Sequence, residues 1–533
     1  MVTEAASIIL IYVAFLAFAA RRLMTYLHAL QQEDYDENRF LKWVVANKIF
    51  DKRLSALLVL AGALSVAQIW ITIPSFTIEA IVFLSFIVVT SKEKDPCTQS
   101  KKKLVMTARA KRIFFTALIW AALSGAWAFI VHQPFIWLIP VQLMPVILVL
   151  GNMTMSPFES AMQKKYWNEA SAKLEQIKPI VVGVTGSYGK TSVKHILGHI
   201  LKTAAPTLVT PGSVNTPMGI SRIIREELSE EHKFFIVEMG AYGPGSIERL
   251  CRLTPPDTGI ITAVGHAHLE RFKSLDTVAQ TKYELAQAVI KKGGKVIVHE
   301  KTLNYPFPQQ IRGEHVTSFV VCGDGKDNTL VIKDAKQTDK GLEITLLYKN
   351  ATVILNAPLF GLHHAQNVAL AFAAARALDI PADVIATALK KTPQIPHRLE
   401  MKRQPDGSAI IDDAYNSNPL GFRSALDLLA IMDPKKRKIL VTPGMVELGS
   451  VHNDVHEKLG IYAGEVCDVA IIVNGKRIPT FIKGFKEKGG SKPLHEMDTF
   501  AEAQEWINKN KQASDVILIE NDLPDLYESL PRL

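Results

Sequence analysis

At 533 residues the chain is too long for one ordinary core, and a prior of about 150 residues per unit predicts roughly three units. Apolar residues make up 48% and the mean hydropathy is above zero. That hydrophobicity is concentrated before residue 152, which excludes a wholly soluble single domain. The formal net charge of +9 needs no nucleic acid to explain it, because much of it lies in two basic loops between the apolar runs.

Those runs are Ala5 to Ala20, Ser55 to Ile73, Phe76 to Thr90, Ile113 to Val131 and Phe135 to Gly151. Each is near the ~20 residues a helix needs to cross a bilayer, so the pattern predicts an all-α transmembrane region of about five helices over residues 1–152. A cleaved leader accounts for the first run alone, and Arg21 and Arg22 follow that run instead of preceding it. One basic loop carries Arg21, Arg22, Arg39, Lys42, Lys48, Lys52 and Arg53. The other carries Lys92, Lys94, Lys101, Lys102, Lys103, Arg109, Lys111 and Arg112. Cytoplasmic loops gather Lys and Arg, so both are expected inside, with everything after residue 151 in the cytoplasm. The expected location is therefore the cell (inner, cytoplasmic) membrane, multi-pass, with catalytic domains in the cytoplasm. Anionic lipid headgroups are the expected partners of the basic loops. Cys97, Cys251, Cys322 and Cys467 are too far apart for a CxxC pair and read as packing residues.

From about Lys178 short β-rich runs alternate with helical segments: Pro179 to Thr185, Phe234 to Met239, Thr258 to Val264 and Lys295 to His299. This predicts a doubly wound α/β sheet. Leu342 to Tyr348 and Ala351 to Leu355 follow without helices and predict an antiparallel flank. A second alternation has strands at Ala409 to Asp412, Lys438 to Val441, Val469 to Val473 and Val516 to Ile519. The two prolines of Lys391 to Pro396 suit a linker. The expected organisation is a P-loop central domain at 153–392 and a Rossmann-like C-terminal domain at 393–533, after the transmembrane region at 1–152.

Residues Ile180 to Ser192 read IVVGVTGSYGKTS, an apolar strand running into a glycine turn and then a helix. The backbone N–H groups of Gly186 to Gly189 form an anion cradle backed by the helix N-terminus. Lys190 adds a point charge, and Thr191 a hydroxyl suited to magnesium. The strict GxxxxGK[ST] pattern would place glycine where the chain has Val184, so the loop is a variant. ATP is favoured over GTP because no guanine-reading motif is evident. The run FFIVEMGAYGPGSIERL delivers Glu238 at a strand end, where a carboxylate suits magnesium. His266 and His268 follow another strand end, and Lys282 lies on an expected helix.

These residues resemble the Mur ligases, and within that family the branch that adds D-alanyl-D-alanine to a muramyl tripeptide. The resemblance rests on TGSYGKTS at 185–192, NTPMG at 215–219, EMGAYGPGSI at 238–247, AHLERFKS at 267–274, TKYE at 281–284, HRLE at 397–400, DDAYNSNP at 412–419 and ELG at 447–449. It implies an ATP- and magnesium-dependent amide ligase working through an acyl phosphate in peptidoglycan synthesis. Thr185, Gly186, Ser187, Gly189, Lys190, Thr191 and Ser192 are implied at the phosphates. Glu238 and His268 join Thr191 at the metals, with Lys282 as a lysine the family carbamylates. Lys190, Lys282, His268 and Glu238 are the implied catalytic set. Asn367 is implied at the adenine side, with Arg398 and Asp413 closing over the nucleotide. Asn215, Thr216, Tyr415, Asn416 and Asn418 are implied on the substrate side. The implied partners are a small-molecule or lipid-linked peptide precursor and an amino-acid or dipeptide amine, with cell-wall synthesis enzymes as neighbours.

The chain departs from the family pattern in two places. Only about 30 residues separate the last apolar run from the first strand, leaving no room for the usual UDP-sugar-binding domain. The C-terminal stretch reads IENDLPDLYESL at 519–530 in place of a glycine-serine-basic run. A polyglutamate-type or other amino-acid ligase of the same superfamily is the nearest alternative. A P-loop ATPase coupled to transport is the alternative from another class, disfavoured because Glu79 is the main charge within the apolar runs.

Overall fold

The computed structural model describes residues 2–521 except 69, 71–73, 99–102, 132, 266–271, 339, 416 and 447. They divide into two compact units, one running to Gln163 and one beginning at Lys164.

The first unit is helical: Val2–Gln32, Glu37–Ala46, Lys52–Ala67, Ser75–Lys92, Ala108–Val131, Leu138–Gln142 and the start of Met144–Ile177. Phe15, Phe18, Phe86 and Trp137 interlock in its core with ring centroids 5.0 to 5.7 Å apart. Arg22, only 2% exposed, lies 2.6 Å from Asp51 and 3.1 Å from Glu93. These contacts tie three segments together, because an uncompensated buried charge would cost several kcal/mol.

Among the described residues, the five apolar runs do not yield five spans. Among the described residues, Ser7–Gln32 and Ala108–Val131 are long and apolar enough to cross a membrane. A third span counts only if Pro134–Gln142 and Met144–Ile177, bent by 51°, form one broken helix. Lys52–Ala67 has 16 residues, about 24 Å at 1.5 Å per residue, short of the roughly 30 Å hydrocarbon layer. The last run breaks at Leu143, where Pro140 and Pro145 on either side remove backbone donors.

The second unit contains two sheets. The larger has strands β1 Ile180–Thr185, β2 Thr207–Val209, β3 Phe234–Glu238, β4 Thr258–Ile261, β5 Lys295–His299, β6 Phe319–Gly323, β7 Leu330–Thr338, β8 Gly341–Tyr348 and β9 Ala351–Ala357. Their order is β2-β3-β1-β4-β5-β6-β7-β8-β9. The first seven in that order run parallel, and β8 and β9 continue from β7 as the expected antiparallel flank. The smaller has β10 Glu400–Arg403, β11 Ala409–Asp413, β12 Lys438–Thr442, β13 Val469–Val473, β14 Leu494–Met497 and β15 Val516–Glu520, in the order β10-β11-β15-β12-β13-β14. Only β10 pairs antiparallel there.

Both faces of the larger sheet are covered, which is why its central strands are unbroken apolar runs. Val182, Val184 and Ile236 pack under helices Lys190–Ala204 and His364–Ala377. Val181, Phe235 and Val237 pack under Pro217–Glu227 and Leu275–Lys291. The short strands β2, β10 and β14 carry too few residues for periodicity to reveal them. Strand order reverses at β1, which lies between β3 and β4, so the loops leaving all three strands converge in a crevice of the kind that binds ligands in open α/β sheets.

Candidate active site

The loop after β1 leads directly into helix Lys190–Ala204, with Gly189 as its N-cap at φ 80°. Only glycine meets its two steric demands. Gly186 has φ 153°, and a Cβ there would fall 1.9 Å from Thr262 Oγ1. A Cβ on Gly189 would fall 2.6 Å from Asn367 Oδ1. Val184, at the position where the strict pattern wants glycine, is fully buried in the core. The turn therefore starts two residues later, at Gly186, and the variant spelling leaves the loop intact.

The loop is tied down from both sides. Thr185 Oγ1 donates to the Met239 carbonyl at 3.0 Å, joining β1 to the end of β3. Ser187 N donates to Ala263 O at 2.8 Å, and Ser187 Oγ exchanges hydrogen bonds with the Gly265 backbone. Thr262 Oγ1 donates to the Tyr188 carbonyl. These side chains fix the cradle, with Thr185 fully buried. Ser192 is buried in the first turn of the helix. Lys190 Nζ donates to Gly186 O at 2.7 Å, and burial pulls its pKa below the usual lysine range although Glu238 opposes the shift.

Glu238 ends β3 beside Val184 and is 1% exposed. Its Oε2 accepts from Thr191 Oγ1 at 3.0 Å and lies 2.9 Å from Lys194 Nζ. Its Oε1 accepts from Asn215 Nδ2 at 3.2 Å. Burial alone would raise its pKa, but Lys194 and Lys190, with the hydrogen bonds from Lys194 and Thr191, outweigh burial and hold it below the usual carboxylate value. The result is an ionised carboxylate beside a threonine hydroxyl, two hard oxygen donors of the kind magnesium takes. Lys282, 4% exposed on helix Leu275–Lys291, has its pKa driven well below 10.5 by burial and then by Lys190. It lines a cavity of about 40 Å³ together with Ser187, Lys190, Asn215, Tyr242 and Phe272. His266 and His268 lie outside the described residues.

Several residues implied at a ligand also make structural hydrogen bonds. Asn215 donates to Glu238, and its Oδ1 accepts from Tyr242 at 3.2 Å. Thr216 and Asn418 are helix N-caps, accepting from Gly219 N and Gly421 N. Asn367 sits on Gly189 and bonds His364 Nδ1 at 3.2 Å, so it abuts the phosphate loop. Burial, followed by His363 and Arg398, lowers the His364 pKa well below 6.5.

The smaller sheet contributes at its β10 and β11 end. The Arg398 guanidinium lies 4.8 Å over the Tyr415 ring, and the Tyr415 hydroxyl bonds Ser213 Oγ in the loop after β2. Asp413 Oδ1 accepts from Leu399 N at 3.1 Å. Asp413 pairs in register with Glu520 on β15, and burial pushes both carboxyls up. Ser417 Oγ donates to Glu520. Asn416 lies outside the described residues. His397, Glu400 and Asp412 gather their ligand atoms within 4.8 Å, but the Lys402 ammonium sits 2.5 Å from Asp412 and 3.2 Å from Glu400 and already supplies the cation. Sequence reasoning missed Lys194, Thr262, Tyr242, Ser213 and Glu520. Of these only Lys194, one helical turn beyond Lys190, left a readable signal.

Fold and loop together define a P-loop α/β protein whose second sheet reaches the same crevice. The sequence matches the Mur ligase middle domain over residues 184–375 and the Mur ligase glutamate ligase domain over 397–520. Through these two domains the chain belongs to the Mur ligase family. Relatives named UDP-N-acetylmuramoyl-tripeptide D-alanyl-D-alanine ligase include one from Buchnera aphidicola subsp. Baizongia pistaciae (strain Bp), 30% identical over 301 residues, covering 55% of this chain and 63% of that protein. Another, from Escherichia coli (strain K12), is 30% identical over 286 residues, covering 54% and 62%. A crystal structure of MurF from Acinetobacter baumannii is similar with a TM-score of 0.58 at 25% identity, covering 67% of this chain and 77% of that one. The chain thus spans less than two thirds of the length of these curated relatives.

Proposed function

We propose that the second unit is an ATP-dependent ligase that joins a carboxylate to an amine, adding D-alanyl-D-alanine to a muramyl-peptide precursor. The observation that carries this is Glu238, held ionised at the mouth of the phosphate loop by Thr191, Asn215 and Lys194, with Lys282 lining the cavity that Lys190 and Asn215 share. The loop N–H groups and Lys190 bind and orient the triphosphate. Glu238 and Thr191 would hold magnesium, which when bound neutralises phosphate charge. A substrate carboxylate oxygen attacks the γ-phosphorus, the bond to ADP breaks, and an acyl phosphate forms. The amine then attacks the acyl carbon, phosphate leaves, and the nitrogen gives up a proton to yield the amide. Positioning and charge neutralisation supply the rate, so no protein nucleophile is required.

Lys282 fits its implied carbamylation, because burial favours the neutral amine, the form that reacts with carbon dioxide. Arg398 and Asp413 belong to the residues that close over the nucleotide, and closure gates turnover. The working domain division is 1–152, 153–392 and 393–533.

We further propose that the first unit sits in the cytoplasmic membrane and presents a lipid-linked precursor, in place of the part of the relatives that this chain does not match. Ile9, Leu10 and Val13 on one long helix and Phe115, Ile119 and Ile130 on the other are exposed, the kind of apolar outer surface that marks lipid contact.

The test incubates the full chain with ATP, magnesium, D-alanyl-D-alanine and either nucleotide-linked or lipid-linked muramyl tripeptide, and detects ADP and the new amide by mass spectrometry. ADP release that ignores every amine would sink the ligase reading. A nucleotide-linked substrate used as well as the lipid-linked one would remove the presenting role.

A further inference from the structure

Within the ligase reading, on which this inference rests, one side chain at the metal-binding carboxylate is unaccounted for. Lys194 is 3% exposed and follows Lys190 by one turn on the same helix. Its Nζ lies 2.9 Å from Glu238 Oε2, the same oxygen that accepts from Thr191, and donates at 2.5 Å to the Gly212 carbonyl. Lys190, by contrast, spends its ammonium on the carbonyls of Gly186 and Ser187. A fixed ammonium within contact of a carboxylate that must also serve a divalent cation does two opposing things. It keeps the carboxylate ionised, and it repels a second positive charge from the same oxygen.

We propose that Lys194 is a positioning residue that competes with the divalent cation for Glu238, keeping metal affinity low until nucleotide phosphates add negative charge, with Gly212 O holding its ammonium throughout. The Gly212 bond is shorter than the contact to Glu238, so the ammonium stays anchored when a cation takes the shared carboxylate oxygen. Gly212 precedes Ser213, which bonds Tyr415 of the smaller sheet, so Lys194 also anchors the loop that carries the contact between the two sheets. Lys194 touches no reacting atom in this scheme.

The test measures Mn2+ binding to the full chain by electron paramagnetic resonance, with and without the non-hydrolysable ATP analogue AMP-PNP, for wild type, Lys194→Met, Lys194→Gln and Lys194→Arg. Loss of the charge in Lys194→Met should tighten nucleotide-free Mn2+ binding at least ~5-fold, the effect of removing one like charge from a partly screened site, and shrink the gain in affinity that AMP-PNP brings. Lys194→Arg, which keeps the charge, should stay near wild type. Lys194→Gln keeps a donor for Gly212 O and should follow Lys194→Met, which covers the case in which the methionine variant fails to fold. A purely structural lysine predicts unchanged or weaker Mn2+ binding in both neutral variants, and that result overturns the inference. Wild type that takes up no Mn2+ even with AMP-PNP would instead strike at the ligase reading itself, so the two failures are distinguishable.

Discussion

Replacing Glu238 by Gln isolates the electrostatic centre of the site. Glu238 is 1% and Lys194 3% exposed, with 2.9 Å between the charged atoms. At an effective dielectric constant of ~20 the gross attraction is about 6 kcal/mol, most of which offsets the cost of removing both charges from water. Losing one partner strands the other, at about 3–5 kcal/mol. Neutralisation of Lys194 softens this toward the lower figure, because its pKa is already depressed by burial. The expected loss for Glu238→Gln is therefore about 3 kcal/mol in urea unfolding of the full chain. In the cycle with Lys194→Met, the double variant should lose about 2 kcal/mol less than the sum of the singles. Additivity within about 0.5 kcal/mol would refute the pairing.

Lys190→Ala should cut ADP formation at least ~100-fold, as removal of a preorganised phosphate-binding charge does; undiminished ligation takes the loop out of the mechanism. Gly189→Ala combines φ 80° with a Cβ 2.6 Å from Asn367 Oδ1. The backbone strain alone is about 1–2 kcal/mol, so ATP affinity in a fluorescence titration should fall at least ~10-fold, with partial recovery when Asn367→Ala removes the clash. Asp413 and Glu520 both have raised folded pKa values, so the folded pair binds more protons than the unfolded chain. Stability contributed by the shared proton is full at low pH and is lost as pH rises through the Asp413 value of about 6. The urea midpoint of wild type should fall across that range, and that of Glu520→Gln should fall less. Equal slopes would show that the two carboxyls do not share a proton. The first unit should keep the full chain in the membrane pellet after alkaline carbonate extraction, and release into the supernatant would refute its insertion.

Much of the second unit is legible in the chain because local chemistry is decisive there. An apolar run ending in GSYGKTS has few foldings that keep Gly186 and Gly189 unstrained, and a glutamate closing FFIVE can only leave at a strand end. The strands Lys295–His299 and Val469–Val473 fall where β-rich runs place them. The membrane region is less legible, because hydropathy records composition and not helix length. Ser55 to Ile73 is apolar enough, yet its helix stops at Ala67. The capping bonds of Thr216 and Asn418 are not legible either, because they follow from where each helix begins in the fold.

The sequence alone determined the loop, the longer strands of both sheets, and which acid and which lysines are available, because glycine torsions and apolar periodicity act over a few residues. Only the tertiary structure decided that Asn215 and Lys194 converge on Glu238 from a loop and a helix 23 and 44 residues upstream of it, that Asn367 seals Gly189, and that Glu520 lies against Asp413. Those contacts depend on strand order and parallel register, which set the distance between residues far apart in the chain and leave no local pattern to read.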